Sequence, residues 1–162
     1  MIRSLFPVAA LLLALAPVTG ALAADQKADA NAINGIWQSK SGGYVQIYPE
    51  GDHWVGTVVG SSDGVARYDK NNPDPKLKGR RLLDVTLLKG LKYQGDKEWD
   101  DGSIYDPNNG KTYSAKATLK GPDTLEVRGY IGISLLGRSQ TWHRISADAP
   151  HVRKNLLHQT GQ

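Results

Sequence analysis

The chain contains no cysteine, which excludes a disulfide scaffold, thiolate zinc and iron–sulfur sites, and a cysteine nucleophile. Methionine and phenylalanine occur once each, as Met1 and Phe6, so no Met-rich partner groove can form. Charge of one sign is also scarce. The net charge is +4 over 162 residues, and the only basic cluster, Lys76, Lys78, Arg80 and Arg81, is flanked by Asp74 and Asp84. That reads as a solvated loop and not as the dense basic stripe with interleaved aromatics that nucleic acid requires. No apolar run reaches the roughly 20 residues of a membrane-spanning helix. No membrane span is therefore expected.

What is present begins with a leader. Arg3 is followed by an apolar stretch from Leu5 to Val18, broken by Pro7 and Pro17, and Ala21-Leu22-Ala23 supplies small residues for a signal peptidase. These are the three parts of a secretory signal, so residues 1–23 are expected to be removed and the product to be periplasmic or secreted. No lipobox cysteine follows, and residues 24–34 read as a polar linker without period. The remainder holds all four Trp and seven Tyr and is long enough for one domain with one core.

From Gly35 the pattern alternates in twos. Gly35 to Gln38, Tyr44 to Tyr48 and Trp54 to Val59 are short segments joined by Gly-containing turns, the pattern of an antiparallel meander. Residues 61–81 have no periodic apolar face and form a long loop, with a helical turn near Pro75. Leu82 to Leu88 reads as the next strand, with Leu83, Val85 and Leu87 on one face, and Lys89 to Asp101 as the segment that brings the chain round. Gly102 to Tyr105 is a short strand, and Thr112 to Lys120 alternates without a break. Leu125 to Gly129 and Arg138 to Ile145 complete the set, and residues 146–162 form a tail with a short helix near Pro150 to His158. About eight strands in sequence order predict an all-β fold, an eight-stranded antiparallel up-and-down barrel over residues 35–145. Closure would remove exposed edges; an open sandwich is the alternative.

Several apparent catalytic motifs lack their structural context. Gly60-Ser61-Ser62-Asp63-Gly64 fits G-x-S-x-G, but no helix follows Ser62 as a nucleophile elbow requires. Gly110-Lys111-Thr112 resembles the end of a phosphate loop, yet it has Tyr105 where the first Gly belongs and it enters a strand. His53, His143, His151 and His158 are not paired at metal-ligand spacing, and neither Asp/Asn loop has the form of a calcium loop. No cofactor or metal is expected. A hydrolase using Asp101 and Asp106 is the weakest reading of function, and no enzymatic activity is expected.

Two constellations carry more. Gly35-Ile36-Trp37 is the G-x-W signature of lipocalin-like barrels, in which a first-strand Trp closes one end under an Arg of the last strand. Arg144 and Arg138 are the candidates for that Arg. If Trp142 points inward, alternation carries Arg138 and Gln140 inward too. Those polar groups must then be hydrogen-bonded, for instance to Glu126 or backbone carbonyls, or line a polar pocket. Ala115, Ala117, Gly129 and Gly56 would leave room beside them. The residues assigned to ligand binding are Trp54, Tyr113, Arg138, Gln140 and Trp142, with Arg128 at the rim. The ligand implied is small and amphipathic or anionic. An envelope structural or protein-interaction domain with a filled barrel, contacting a partner through residues 61–81, is the competing reading.

Asn72-Pro73-Asp74-Pro75, Arg81-Leu82-Leu83, Gly102-Ser103-Ile104-Tyr105-Asp106-Pro107 with Gly110-Lys111 and Tyr113, Leu125 to Gly129, and Gly137 to Trp142 together resemble the bacterial family known as domain of unknown function 2147. The resemblance spans about Gly35 to Ile145 and implies an exported, lipocalin-like barrel with no established chemistry. Many members carry cysteines near the second hairpin and before the Arg of the last motif. This chain has Trp54 to Gly56 and Leu136-Gly137 there, so no redox role carries over.

Overall fold

The computed structural model describes residues 19–160; most of the expected leader lies outside them. Eight strands follow one another: β1 (Gly35–Gln38), β2 (Gly43–Glu50), β3 (His53–Ser61), β4 (Thr86–Gly95), β5 (Glu98–Asp106), β6 (Lys111–Gly121), β7 (Thr124–Tyr130) and β8 (Arg138–Ile145). Each pairs antiparallel with the next, and β8 pairs back to β1 through Trp37 and Arg144, closing the barrel. The expected up-and-down barrel is therefore observed, and closure leaves no edge strand.

Alternating connections give the barrel two unlike ends. The turns β2–β3, β4–β5 and β6–β7 are short and share one end; the links β1–β2, β3–β4, β5–β6 and β7–β8 share the other, where the 62–85 segment lies. At the first end the core is filled. Trp37, Trp99, Leu91, Ile47 and Leu125 are buried there, and Trp54 packs edge-on against Trp99 with ring centroids 6.5 Å apart.

Residues 24–34 are not a tether. An α-helix, α1 (Thr19–Asn31), leads into Ile33, which is wholly buried with Ala30 in the barrel core. Alanine favours helix without supplying an apolar stripe, so no amphipathic period announces the element. The 146–162 tail is likewise docked. Val152, Leu156 and Leu157 cover Ile36, Tyr44 and Val59 on the outside of the barrel, and Gln46 and His158 exchange two hydrogen bonds. The short helix expected near Pro150 to His158 is a single 3-10 turn at Lys154–Leu156.

The strand expected over Leu82 to Leu88 begins only at Thr86, and Lys89 to Asp101 belongs mostly to β4 and β5. Gly90 lies inside β4 with φ 70°. The reversal is made by Asp96 and Lys97, at φ 49° and 61°. Asp96 is a residue that tolerates the left-handed region, but Lys97 beside it carries no sequence signal of the usual kind.

Candidate functional site

The closed end is built around Trp37. Its indole Nε1 donates to the Ile33 carbonyl at 2.9 Å, and the Arg144 guanidinium lies 4.2 Å from the ring centroid. Arg144 also donates to the carbonyls of Asn34, Ala32 and Pro122, so one cation ties the α1–β1 link, β1 and the β6–β7 turn together. Arg144, and not Arg138, is thus the Trp partner. Gly35 sits at φ 138°, and a Cβ there would run into Arg144 Nη1.

Above this floor the barrel opens into a cavity of about 820 Å³. Trp142, Val127, Val45, Ile104 and Tyr113 line it, with Gly129 and Gln140 beside them. Around the mouth stand Arg67, Arg81, Arg138 and Arg153, against the single carboxylate of Asp106. Arg67 is held by a bidentate pair with Asp63, at 2.9 and 2.8 Å. Among the described residues, the guanidinium groups of Arg81, Arg138 and Arg153 have no hydrogen-bond or ion-pair partner. Asp106 accepts from the Asn108 backbone and side-chain amides, which turns it into the β5–β6 loop.

Of the residues predicted for a ligand, Tyr113, Arg138, Gln140 and Trp142 share this cavity. Arg138 and Gln140 are exposed to its solvent, so the burial that would demand paired partners does not arise, and Glu126 pairs with Lys120 instead. Trp142 Nε1 lies 3.4 Å from Gln140 Oε1. Two assignments are corrected. Trp54 lies at the closed end, its Nε1 donating to Asn34 Oδ1 at 2.8 Å, because the first inward position of β3 is opposite the mouth. Arg128 is on the outer face, where it donates to the Ser134 and Leu135 carbonyls and to Ser139 Oγ. It braces the β7–β8 loop and does not line the cavity. Gly56 makes no room either, since a Cβ there would meet Leu88 and Val45.

The sequence reading missed how the 62–85 segment is held. Asp69 is wholly buried and accepts from Tyr105 Oη at 2.5 Å, Asn72 Nδ2 at 2.7 Å and Arg80 Nε at 2.9 Å. Burial pushes its carboxyl up, but these donors outweigh that and hold it below the usual carboxylate range. Tyr105 is pushed up to about 12, by burial first and by its bond to Asp69 second. Asn71 adds donors to the Pro107 and Asn108 carbonyls, and a Cβ on Gly110 would collide with the Asn71 carbonyl. The segment is a fixed flap on the β5–β6 turn, and Gly64 to Arg67 and Arg81 to Leu83 line the cavity. The signal available was the pairing of Asn72-Pro73-Asp74-Pro75 with Tyr105-Asp106-Pro107 and Gly110, motifs far apart in the chain that turn out to be in contact.

The apparent catalytic groups do not assemble. Ser62 stands at a turn after β3 with no helix behind it, and Asp101 is an exposed residue of β5 at φ 62°. Among the described residues no three His, Asp or Glu side chains are grouped as metal ligands would be, and no helix is long and apolar enough to cross a membrane.

Residues 35–144 match the family described as "Uncharacterized protein conserved in bacteria (DUF2147)". A solved structure, described as protein HP1028 from the human pathogen Helicobacter pylori and as belonging to the lipocalin family, is similar at 27% identity with a TM-score of 0.66. The similarity covers 76% of this chain and 88% of that one. No curated protein matches.

Proposed function

This chain belongs to the DUF2147 family, and we propose that it is an exported, non-enzymatic barrel that binds a small amphipathic anion in its open half. The observation that carries this reading is the cavity itself. Its volume lies within the range of small-molecule sites, its floor is apolar and aromatic, and its mouth holds three arginines without side-chain partners among the described residues, Arg81, Arg138 and Arg153, beside the single lining carboxylate of Asp106. Such a site accepts an apolar chain against Trp142, Val127 and Ile104 while Arg138 and Arg81 take the anionic head by charge-assisted hydrogen bonds. The exported location rests on the three-part leader in the sequence. A filled barrel serving only as a scaffold suits the Trp-packed closed end but leaves the open half without a purpose.

Laurate, a carboxylate on a saturated chain, is a suitable probe. Titration should give a saturable change in tryptophan emission through Trp142, and Arg138→Ala should weaken binding about tenfold, about 1.4 kcal/mol for one charged contact. Native mass spectrometry of protein taken from its own cells should show an added mass that Arg138→Ala loses. A response to laurate that never saturates, together with a bare mass in the native spectrum, would overturn the reading.

A further inference from the structure

The β7–β8 connection presents an apolar lip beside the arginine mouth. Ile131, Ile133, Leu135 and Leu136 fall within six residues and are 71%, 60%, 83% and 77% exposed, and Val65 on the flap, also lining the cavity, is 59% exposed. Aliphatic side chains scattered singly on a surface need no explanation, but a contiguous group of this kind marks a contact surface. The lip is also built. Arg128 Nε donates to the Ser134 carbonyl at 2.5 Å and Nη2 to that of Leu135 at 3.2 Å, so an outer-face cation holds the loop that turns the aliphatic groups outward. Gly137 closes the loop where a Cβ would lie 2.6 Å from the Gly129 carbonyl oxygen.

We infer that this lip, with the arginines behind it, docks the barrel mouth on the surface of an anionic phospholipid bilayer. Ile133 and Leu135 enter the boundary between headgroups and acyl chains, while Arg81, Arg138 and Arg153 meet the lipid phosphates. Charge complementarity selects this occupant. A second copy of the chain would bring the same arginines against themselves across a two-fold contact, whereas an anionic lipid surface is attracted to all of them. Ile131 and Leu136 belong both to the lip and to the cavity lining, so the lip adjoins the cavity. The inference deepens the ligand reading by assigning the source of the amphipathic anion, a bilayer.

Ile133 and Leu135 do not line the cavity, which makes them the test. Wild type and the Ile133→Ser/Leu135→Ser double variant, in the same processed form, are compared in flotation with vesicles of phosphatidylglycerol and phosphatidylcholine. The variant should bind at least tenfold more weakly, and wild-type binding should fall about tenfold between ~0.1 M and ~0.5 M salt, while laurate titrates both proteins alike. Equal flotation of the two proteins, or none by wild type, overturns the docking surface. Concentration-dependent dimerisation abolished by the double variant, without flotation, overturns it in favour of a second copy. Flotation that depends on Ile133 and Leu135 in a protein that does not bind laurate leaves the docking surface standing and removes the ligand reading.

Discussion

At the scale of single residues, two polar arrangements, one half-buried and one buried, hold opposite ends of the barrel, and each is built on one group with several partners. Arg144 stacks on Trp37 and donates to three carbonyls. Asp69 accepts from three side chains at the mouth. The first arrangement depends on an empty position, since Gly35 leaves the space that Arg144 Nη1 occupies. Gly35→Ala should both strain a backbone at φ 138° and displace the guanidinium. The expected cost is about 3 kcal/mol, measured by urea unfolding with Trp emission. A change smaller than about 0.5 kcal/mol would show that Arg144 is not a fixed part of the end. The same scale holds one imperfection: Trp37, Trp54 and Trp142 each have an acceptor for the indole N–H, whereas Trp99 Nε1 is buried without a partner among the described residues. Its ring is held by aromatic packing on Trp54 and Tyr93.

At the scale of elements, the helix before the barrel is part of the fold. Ile33 is wholly buried in one cluster with Trp37, Trp54 and Trp99. Ile33→Ala should therefore cost about 2–4 kcal/mol in equilibrium unfolding. A segment that merely tethered the barrel would show no change. The strands were legible in the sequence wherever one face is buried and the other wet, as in β6, where Ala115, Ala117 and Leu119 are buried and Ser114 and Lys120 exposed. β4 and β5 were legible only in part, at Thr86 to Leu88 and Gly102 to Tyr105, because bulges at Gly90 and Asp101 interrupt their alternation and the turn between them uses Asp96 and Lys97. α1 was hidden for a different reason. Among the described side chains its contribution to the core comes from Ala30 in its last turn and from Ile33 just beyond it, and no apolar stripe runs along it. In the candidate site, inward alternation along β8 correctly put Arg138, Gln140 and Trp142 in one place. The placement of Trp54 depends on which end of the barrel β3 starts from, whereas the outward direction of Arg128 follows from the alternation that turns Val127 and Gly129 inward, and only its loop contacts lay beyond the sequence.

At the scale of the whole molecule, the barrel divides into a half that is packed and a half that is shaped by a latch, and the two respond to different conditions. Apolar burial fills the closed end and does not titrate. The flap at the mouth is joined to β5 through Asp69 and Tyr105, and both groups do. The folded Asp69 is held below its ordinary value, so its contribution is present above the unfolded carboxylate pKa of about 3.9 and is lost as pH falls through the lower folded value. The folded Tyr105 is pushed up to about 12, so its contribution is intact below the unfolded phenol pKa of about 10 and is lost as pH rises toward 12. The latch therefore works across the neutral range and weakens outside it at both ends. At pH 7, Asp69→Asn should be less stable than wild type by about 2 kcal/mol, the scale of a hydrogen bond to a charged group. That difference should shrink below about pH 4, and the difference between wild type and Tyr105→Phe should shrink above about pH 10. Urea midpoints measured across that range decide the matter, and pH-independent differences would mean that the flap is held by packing and not by this carboxylate. Because Gly64 to Arg67 and Arg81 to Leu83 line the cavity, laurate binding should weaken as pH rises above about 10, where laurate itself stays ionised, while the Trp37 end remains folded.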